Sequence, residues 1–500
     1  MTLNAPRFFL VLPIFLVSSL LVIWHYDFDR LGSVPFGTRS AAFSLFFNRT
    51  FAIDEFKDNA GVDFAFFNGH YYSGYPPLVP IITAGFLAIE QVFVYAHTRV
   101  LGHINGHIAW GLESWFIALP QILSLCGLSW LLFGLLRYMG RSYRLAYFVG
   151  WLLPFTSYAL VYSVGANNDL PAAFLIFWGF YLLATGTSPQ RAFLAGFVVS
   201  LAGLAQYPAI LYLLSFGGLV VYQLLLVDKS KKLLIKGLFI YLLGASLPIL
   251  ALAVYHTLLF GAPWRFAHFY HAIPVAPGQT AANKVDFSIF NIPDGLRGLL
   301  ISPLKGLFVY APLTVFSFFG WQRLFRQHRV ITIGGVLSIV LIVLFYAVWW
   351  DWSGGFDFAS RYLISTLPFF YLGLAFALPT IFRRLWLKLA FLGAIVWSFL
   401  TTIVFTFTGI REAVRMEKWM QWGALGRFES FFEVFTKNDP KDVAPIIIRF
   451  ANEWPLIGGL PYSVVGFMLF GAVLVLAILP LLVVLTVDGR RWKVGVDDRK

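Results

Sequence analysis

Hydrophobic runs, each about 20 residues long, recur along the whole chain and are separated by polar segments. A helix of that length crosses the ~30 Å hydrocarbon core of a membrane and satisfies its own backbone hydrogen bonds there. The pattern therefore predicts an all-α polytopic membrane protein, a bundle of about 12 transmembrane helices. The predicted spans cover residues 8–24, 114–136, 145–164, 170–186, 192–208, 209–227, 237–260, 299–320, 330–350, 362–381, 388–409 and 462–486. The first run has no small-residue cleavage site, so we expect a retained anchor and not a signal peptide.

The composition excludes a water-soluble globular protein. Hydrophobic residues make up 59% of the 500 residues and charged residues only 12%, with a mean hydropathy of +0.76. The net charge of +13 would suggest nucleic-acid binding in a soluble chain, but here the basic residues fall mainly between the apolar runs. The single cysteine, Cys126, lies inside an apolar run, which excludes a disulfide framework and a cysteine-based metal site.

The basic clusters indicate the orientation, because they all fall on one side of the membrane when the run 76–95 is not counted as a span. By the positive-inside rule that side is the cytoplasm, and both termini are expected there. The run 76–95 contains Pro80 and Glu90, so we expect it to lie along the outer surface as a juxtamembrane helix or to re-enter the membrane. The clusters are Arg7; Arg137, Arg141 and Arg144; Arg191; Lys229, Lys231, Lys232 and Lys236; Arg323, Arg326 and Arg329; Arg383, Arg384 and Lys388; and Arg490, Arg491, Lys493, Arg499 and Lys500.

This topology predicts one integral membrane domain over residues 1–500, with its long loops on the outer side. The outer loops are 25–113, which would contain the juxtamembrane helices, 261–298 and 410–461, and residues 487–500 form a cytoplasmic tail. The working surface is therefore expected to face away from the cytoplasm.

Acidic residues are rare and concentrate in the first outer loop. A carboxylate at a membrane–water boundary can deprotonate a hydroxyl nucleophile, above all if partial burial raises its pKa; ordinary solvated loop charges are the alternative. Asp63 precedes the compact stretch from Phe67 to Pro77, in which aromatic residues, His70 and turn glycines predict the wall of a pocket. The acids of this loop are Asp27, Asp29, Asp54, Glu55, Asp58 and Asp63.

Further candidate residues lie at the outer ends of predicted spans. Asp169 follows Asn167 and Asn168 in a short outer turn, where it could cap a helix, line a cavity, or do both. Arg361 lies where a span begins, and it either reaches lipid phosphate or holds a substrate phosphate with paired hydrogen bonds. Lys305 is expected about two turns inside the span 299–320, where a charge is costly and usually functional.

No metal site and no nucleotide-binding site are expected. His103 and His107 have helical spacing, but Gly102 and Gly106 disfavour a stable helix and no HExxH pattern is present. The sequence also contains neither GxGxxG nor a P-loop.

Four segments occur in order on the predicted outer face: Asn68 to Pro77, Ala205 to Pro208, Ile301 to Pro312 and Trp350 to Pro368. Together they resemble the GT-C superfamily of membrane glycosyltransferases, particularly the bacterial relatives of protein O-mannosyltransferases and the lipid A aminoarabinose transferases. The resemblance extends over most of the chain. It implies a GT-C-like helical bundle in a bacterial plasma membrane, with transfer of a sugar from a polyprenyl-phosphate donor to a hydroxyl of a glycan, lipid or protein. No resident cofactor and no nucleic acid are implied, and a divalent metal is left open.

The resemblance also implies roles for particular residues. In this family an acidic residue of the first outer loop activates the acceptor, and basic residues hold the donor phosphate. Val34 and Pro35 stand where relatives of the O-mannosyltransferases have an acidic pair, and Tyr75 replaces a lysine of some relatives. The base could therefore be Asp27 or Asp29 upstream, or Asp54 or Asp63 downstream, and we favour the downstream pair. The implied substrate-binding residues are Asp169, His70, Tyr72, Lys305, Trp350, Asp357, Arg361 and Tyr362.

A transporter or flippase of a lipid-linked saccharide is the alternative function. Such a protein should carry charged residues deep in several helices, along a path that opens to both sides. The ionisable residues here cluster on the outer side and the middles of the spans are apolar, which favours the enzyme. A polymerase or ligase of envelope glycans would differ only in its acceptor.

Overall fold

The structure is a computed structural model that describes residues 5–24, 34–59, 64–101, 106–227, 231–270, 272–276, 279–282, 287–354, 358–408 and 462–486. Asp27, Asp29, Asp63 and Asp357 lie outside the described residues, as do the segments 410–461 and 487–500.

Helices make up most of the described chain. Those before residue 230 are α1 (Ala5–Trp24), α2 (Val34–Phe43), α3 (Leu78–Leu101), α4 (Gly106–Tyr138), α5 (Tyr143–Phe155), α6 (Asp169–Ala184), α7 (Pro189–Gly203) and α8 (Tyr212–Val227). Those after it are α9 (Lys231–Phe260), α10 (Ile292–Ile301), α11 (Leu307–Tyr310), α12 (Leu313–Phe316), α13 (Phe318–Gln327), α14 (Arg329–Ala347), α15 (Leu367–Ile381), α16 (Leu385–Thr408) and α17 (Tyr462–Thr486). Short 3-10 helices at Asp54–Asn59, Tyr207–Leu211, Ala267–Tyr270 and Arg361–Thr366 connect several of them.

Seven apolar helical stretches in the described part of the chain are long enough to cross a membrane. They are Leu78–Tyr95, Glu113–Tyr138, Tyr207–Leu224, Ile235–Phe260, Arg329–Ala347, Arg361–Ile381 and Leu385–Thr406. The prediction of a helical, multi-pass membrane protein is confirmed, while the total number of spans stays a prediction. Leu78–Tyr95 belongs to the run expected to lie along the outer surface, and its position relative to a membrane also stays a prediction.

The predicted span 299–320 is wrong as a continuous helix. The structure divides this region among α10, α11, α12 and α13. Pro303 and Pro312 lack the backbone N–H that a helix interior needs. Gly306 lies so close to Ile301 and Ser302 that a Cβ there would be 2.7 Å from their backbone atoms. The chain therefore forms several short helices where hydropathy alone predicted one continuous crossing.

The first outer loop contains a β-hairpin, which the prediction of juxtamembrane helices did not include. Strands β1 (Phe64–Phe67) and β2 (His70–Ser73) pair antiparallel, with Phe67 opposite His70. The turn between them is Asn68-Gly69, and both residues have positive φ, 49° and 86°, as a type I′ turn requires. A second pair, β3 (Ala272–Ala276) and β4 (Gln279–Ala282), lies in the loop that follows α9.

Glycines allow close helix packing in the bundle. A Cβ at Gly244 of α9 would lie 2.0 Å from the carbonyl oxygen of Phe193 in α7, and a Cβ at Gly196 of α7 would lie 2.0 Å from that of Tyr241. Small residues at such crossings let two membrane helices approach backbone to backbone. The pair α7 and α9 therefore forms a firm support for the 3-10 helix Tyr207–Leu211 that follows α7.

Candidate active site

A cavity of about 390 Å³ opens where the start of α6, the turn after α7, the end of α14 and the start of the 3-10 helix Arg361–Thr366 meet. Its volume is in the range of natural small-molecule sites. Four of the predicted substrate-binding residues line it: Asp169, Trp350, Arg361 and Tyr362. The other lining residues are mostly apolar or aromatic and are Tyr75, Pro76, Asn168, Gln206, Tyr207, Pro208, Ile210, Leu211, Leu252, Phe266, His268, Phe269, Phe287, Phe345, Tyr346, Trp349 and Asp351.

Asp169 supplies a buried carboxylate to the cavity, with only 5% of its surface exposed. The amide Nε2 of Gln206 donates to its Oδ1 over 2.7 Å and to the hydroxyl of Tyr346 over 3.2 Å. Asn168 occupies the N-cap position of α6, so Asp169 lies one residue beyond the position that a capping side chain takes. One glutamine thus fixes a carboxylate and a phenol that come from different helices.

The turn that carries Asp169 is held from several sides. Thr38 of α2 donates from its hydroxyl to Oδ1 of Asn168 over 3.0 Å, and both side chains are buried. Gln121 of α4 donates to the carbonyl of Asn167 over 2.9 Å, and the Asn167 amide donates to the carbonyl of Tyr162. Buried polar groups need such partners, so this turn is positioned by α2, α4 and its own loop together.

A stack of flat aromatic rings forms another part of the cavity wall. The rings of Tyr346 and Tyr362 lie 4.2 Å apart at an angle of 4°. Trp349 stacks on Tyr362 at 5.4 Å, and Phe287 lies against Trp349 at 6.1 Å. Such surfaces are suited to the apolar face of a sugar ring or to a hydrocarbon chain.

Arg361 places a cation beside these rings. It is 8% exposed, and its guanidinium carbon lies 4.9 Å from the ring centroid of Tyr362. Gly354 packs against it with a φ of 66°, and a Cβ at Gly354 would lie 2.9 Å from Nε of Arg361. The position of the guanidinium therefore depends on a glycine that precedes it by seven residues.

Lys305 is buried, with 5% exposure, but it is not one of the residues that line the cavity. It lies in the turn between α10 and α11, and not inside the continuous helix that hydropathy predicted. The hydroxyl oxygen of Ser360 lies 2.7 Å from the carbonyl oxygens of both Leu299 and Lys305, which share its one donor proton. This turn is thereby fastened to the residue that directly precedes Arg361.

Asp54 and His70 form an exposed pair on the hairpin of the first outer loop. Nδ1 of His70 lies 2.7 Å from Oδ2 of Asp54, and the Tyr71 N–H donates to Oδ1 over 2.7 Å. Burial raises the pKa of Asp54, but the hydrogen bonds from Tyr71 and His70 outweigh it and leave the pKa below its ordinary 3.8. Neither Asp54 nor His70 is among the described residues that line the cavity. A lowered pKa also makes a carboxylate a weaker base.

Tyr72 lies on the buried side of the same hairpin. It is 8% exposed, and its ring lies 5.5 Å from that of Phe260 at the end of α9. Beyond the hairpin, Tyr75 and Pro76 enter the cavity wall. The predicted pocket wall in the stretch Phe67 to Pro77 is therefore present in its last part, where the chain leaves the hairpin.

A buried histidine ties two segments of the wall together. His256 of α9 is 1% exposed, and its Nδ1 lies 3.2 Å from the carbonyl of Pro263 while its Nε2 lies 3.2 Å from the Tyr207 hydroxyl. Because a carbonyl only accepts, Nδ1 carries the proton, and in the neutral ring Nε2 accepts from Tyr207. His256 thereby links the loop after α9 to the turn after α7.

Gln206, Tyr346 and Trp349 belong to the site but were not among the predicted site residues. Gln206 and Tyr207 stand in the segment Ala205 to Pro208 that carried part of the family resemblance. Tyr346 lies near the end of a predicted span and was not predicted as a site residue. Its one sequence signal is a hydroxyl group in an otherwise apolar helix, and the structure shows that this residue is buried. Among the described residues, no group of three or more His, Cys, Asp or Glu could hold a metal ion.

The chain is similar in structure to ArnT from Cupriavidus metallidurans bound to undecaprenyl phosphate, with 14% identity, a TM-score of 0.47, and coverage of 87% of this chain and 84% of that one. It is also similar to the archaeal oligosaccharyltransferase AglB from Archaeoglobus fulgidus in complex with an inhibitory peptide and a dolichol-phosphate. That match has 11% identity and a TM-score of 0.46 and covers 84% of this chain but only 59% of AglB. ArnT, a lipid A aminoarabinose transferase, and AglB are both GT-C superfamily members.

No protein-family model and no curated protein matches the sequence.

Proposed function

We propose that this chain is a glycosyltransferase that moves a sugar from a polyprenyl-phosphate-linked donor to an acceptor hydroxyl at the outer face of a bacterial plasma membrane. The observation that carries the proposal is that a buried carboxylate, a buried guanidinium and a flat aromatic wall meet in one cavity at the ends of apolar helices. These groups answer three requirements of the reaction: a base, a counter-charge for a leaving phosphate and a surface for a sugar ring.

Arg361 is the proposed phosphate ligand in the cavity. A guanidinium donates paired hydrogen bonds that match the oxygens of a phosphate. Its burial strengthens this interaction, because electrostatic attraction grows as water is excluded. Trp349 and Tyr362, which stack beside it, provide the flat surface on which the sugar attached to that phosphate would lie.

Asp169 is the proposed base, because it lines the cavity while Asp54 does not. Gln206 orients its carboxylate, and an oriented base is effective only when it can reach the proton it removes. The prediction of a first-loop base at Asp54 or Asp63 stays open as a competing assignment, with Asp54 paired to His70 at 2.7 Å.

The proposed step is a direct displacement with inversion. The carboxylate takes the proton of the acceptor hydroxyl while the hydroxyl oxygen attacks the anomeric carbon. The bond from that carbon to the phosphate oxygen breaks, and the bonding electrons leave with the phosphate. Arg361 stabilises the negative charge that develops there, which is the usual place for a fixed cation in such a site.

The cavity accommodates the sugar and phosphate but not a long prenyl chain, which would run along the apolar surface outside it. Leu252 of α9 lines the cavity, and Leu250, Val254 and Leu258 of the same helix are exposed to the surroundings. In this proposal the prenyl chain lies against exposed apolar helix surface of this kind, outside the cavity.

The test uses the full-length protein reconstituted in lipid, with radiolabelled polyprenyl-phosphate sugars and a membrane extract as the source of acceptors. Wild type is compared with Asp169→Asn, Asp54→Asn and Arg361→Ala. Asp58→Asn is the matched control, since Asp58 is an exposed acid in the same 3-10 helix as Asp54. Asp169→Asn keeps an oxygen that can accept from Gln206 and replaces the other oxygen by an amide nitrogen, so the charge and the proton-accepting oxygen are both removed.

We expect Asp169→Asn to abolish turnover while donor still binds, and Arg361→Ala to weaken donor binding. Loss of turnover in Asp54→Asn with activity retained in Asp169→Asn would move the base to the first loop. If no donor is consumed but labelled lipid crosses the bilayer, the transferase assignment is wrong and the protein is a flippase.

A further inference from the structure

A group of cationic side chains lies at the end of the bundle opposite the cavity. Helix α14 connects the two ends, because His328 precedes its first residue and Tyr346 and Trp349 of the cavity lie at its other end. Its 19 residues span about 28 Å at a rise of 1.5 Å per residue. That length matches the ~30 Å hydrocarbon core of a membrane, so the cavity and this group lie at opposite membrane faces.

Three basic residues converge on Phe376 of α15, and we call them the Phe376 cluster: Arg141, Arg323 and His328. The guanidinium of Arg141 stacks on the Phe376 ring at 3.6 Å. Arg323 donates from Nη1 to the Phe376 carbonyl over 3.3 Å, and the ring of His328 lies 5.7 Å away at 78°. The side chains come from three different segments, so the fold itself gathers these charges.

The described part of the chain places no acidic residue at this end of the bundle. The described ion pairs join Arg39 to Glu113 and His70 to Asp54. The described acids are all associated with the first outer loop, the α3–α4 pair or the cavity side: Asp54, Glu55, Asp58, Glu90, Glu113, Asp169, Asp294 and Asp351. Clustered like charges repel one another, and a bound anion at this end of the bundle would offset that repulsion.

The pKa values of both Arg141 and His328 are lowered in the cluster. Burial, together with the charge of Arg323, holds the pKa of Arg141 below its usual value. Burial and the charge of Arg141 lower the pKa of His328, although a hydrogen bond to the backbone of Met139 opposes the shift. A bound anion would relieve the repulsion between the two guanidinium groups.

We propose that the Phe376 cluster binds the phosphate of an anionic membrane phospholipid. Phe376 lies five residues before Ile381, the last residue of an apolar span, which is about 7.5 Å along a helix axis and so near the headgroup level. Arg141 donates from Nη2 to Oε1 of Gln327 and Arg323 from Nη1 to the Phe376 carbonyl, so a phosphate would take the remaining N–H donors of the two guanidinium groups. Phe325 on the helix of Arg323 and Phe382 directly after α15 are exposed apolar side chains, and a surface for acyl chains favours a lipid over a free anion.

The test measures thermal unfolding of the purified full-length protein in neutral detergent–lipid micelles while phosphatidylglycerol is titrated in. Arg141→Gln and Arg323→Gln are compared with Arg326→Gln, the matched control, since Arg326 is an exposed arginine on the same helix as Arg323. Phosphatidylcholine serves as the neutral lipid, and inorganic phosphate as the soluble anion.

We expect phosphatidylglycerol to stabilise wild type, with an apparent affinity about fivefold weaker in each cluster variant and unchanged in the control. In phosphatidylcholine alone, Arg323→Gln should unfold at the same or a higher temperature than wild type, because it removes a like charge. That result also shows that the variant folds.

Equal stabilisation by both lipids, or an equal loss in Arg326→Gln, would overturn the proposal. Equal stabilisation by inorganic phosphate would make this a site for a free anion and would overturn the assignment to a lipid. Destabilisation of Arg323→Gln in phosphatidylcholine would also overturn the proposal, because it would show that Arg323 stabilises the fold through its bond to the Phe376 carbonyl without any anion.

Discussion

Replacing Gly354 with alanine should weaken phosphate recognition although Gly354 itself is not among the described residues that line the cavity. The new methyl group would lie 2.9 Å from Nε of Arg361 and 3.2 Å from the Tyr362 ring. Arg361 is the flexible partner, so it is the guanidinium that we expect to move.

The size of the effect follows from two contributions. The positive φ of 66° at Gly354 costs an alanine about 1–2 kcal/mol of stability. Ordinary contact with a Cβ begins at 3.4 Å, so a guanidinium now at 2.9 Å must retreat by the difference, 0.5 Å. A misplacement of ~1 Å in a catalytic geometry costs up to about 100-fold in rate, so half of that distance predicts a loss of about tenfold in kcat/KM.

Gly140→Ala separates the two contributions. Gly140 has a φ of 77° but no atom within 4 Å of an added Cβ, so it carries the backbone cost without the push on an arginine. Both variants should lose similar stability in thermal unfolding, and only Gly354→Ala should lose turnover of the polyprenyl-phosphate sugar.

The double variant Gly354→Ala with Arg361→Ala tests whether the effect passes through the guanidinium. If it does, the double variant should be no less active than Arg361→Ala alone, because coupled residues are not additive. Full activity of Gly354→Ala, or additive losses in the double variant, would refute the reasoning.

Three further predictions concern other parts of the fold. Thr38→Val removes the donor that Asn168 accepts from and should cost about 1–3 kcal/mol in chemical unfolding, since a buried amide oxygen loses its partner; no loss would show that the turn before α6 does not depend on α2. The pKa of Asp54 is lowered by folding from 3.8, so its contribution to hairpin stability should be present above that pH and disappear as the pH falls through the lowered value. Hydrogen exchange of the hairpin should show this drop in wild type and not in Asp54→Asn. Gly244→Ala places a Cβ 2.0 Å from a backbone carbonyl whereas Gly218→Ala meets nothing within 4 Å, so only the former should unfold at a clearly lower temperature, by an overpacking cost of about 1–3 kcal/mol.

Hydropathy was sufficient to predict the membrane-spanning character of the chain, because the cost of burying polar residues in lipid leaves long apolar runs. It failed over residues 299–320, where the run is apolar but Pro303 and Pro312 interrupt the helix. Proline has a local steric effect that an averaged hydropathy does not register.

The cavity was predicted in part. Asp169 and Arg361 were expected because charges are rare at the ends of apolar spans, and both line the cavity. Gln206 and Tyr346 were not, since their role depends on a hydrogen bond across 140 positions of sequence, which no local pattern encodes. The fastening of Asn168 by Thr38 spans 130 positions and was equally out of reach.

The hydrogen bonds that hold the turn carrying Asp169 limit where in the cavity wall substrate specificity can change. Asn167 and Asn168 are fixed by side chains from two other helices, so this wall is preorganised and an incoming substrate spends little binding energy on ordering it. Segments 262–270 and 350–353 are connections between helices, where exchange of side chains is tolerated best. Changes of preferred sugar or acceptor should therefore arise by substitution in these two connections, while the carboxylate wall remains as it is.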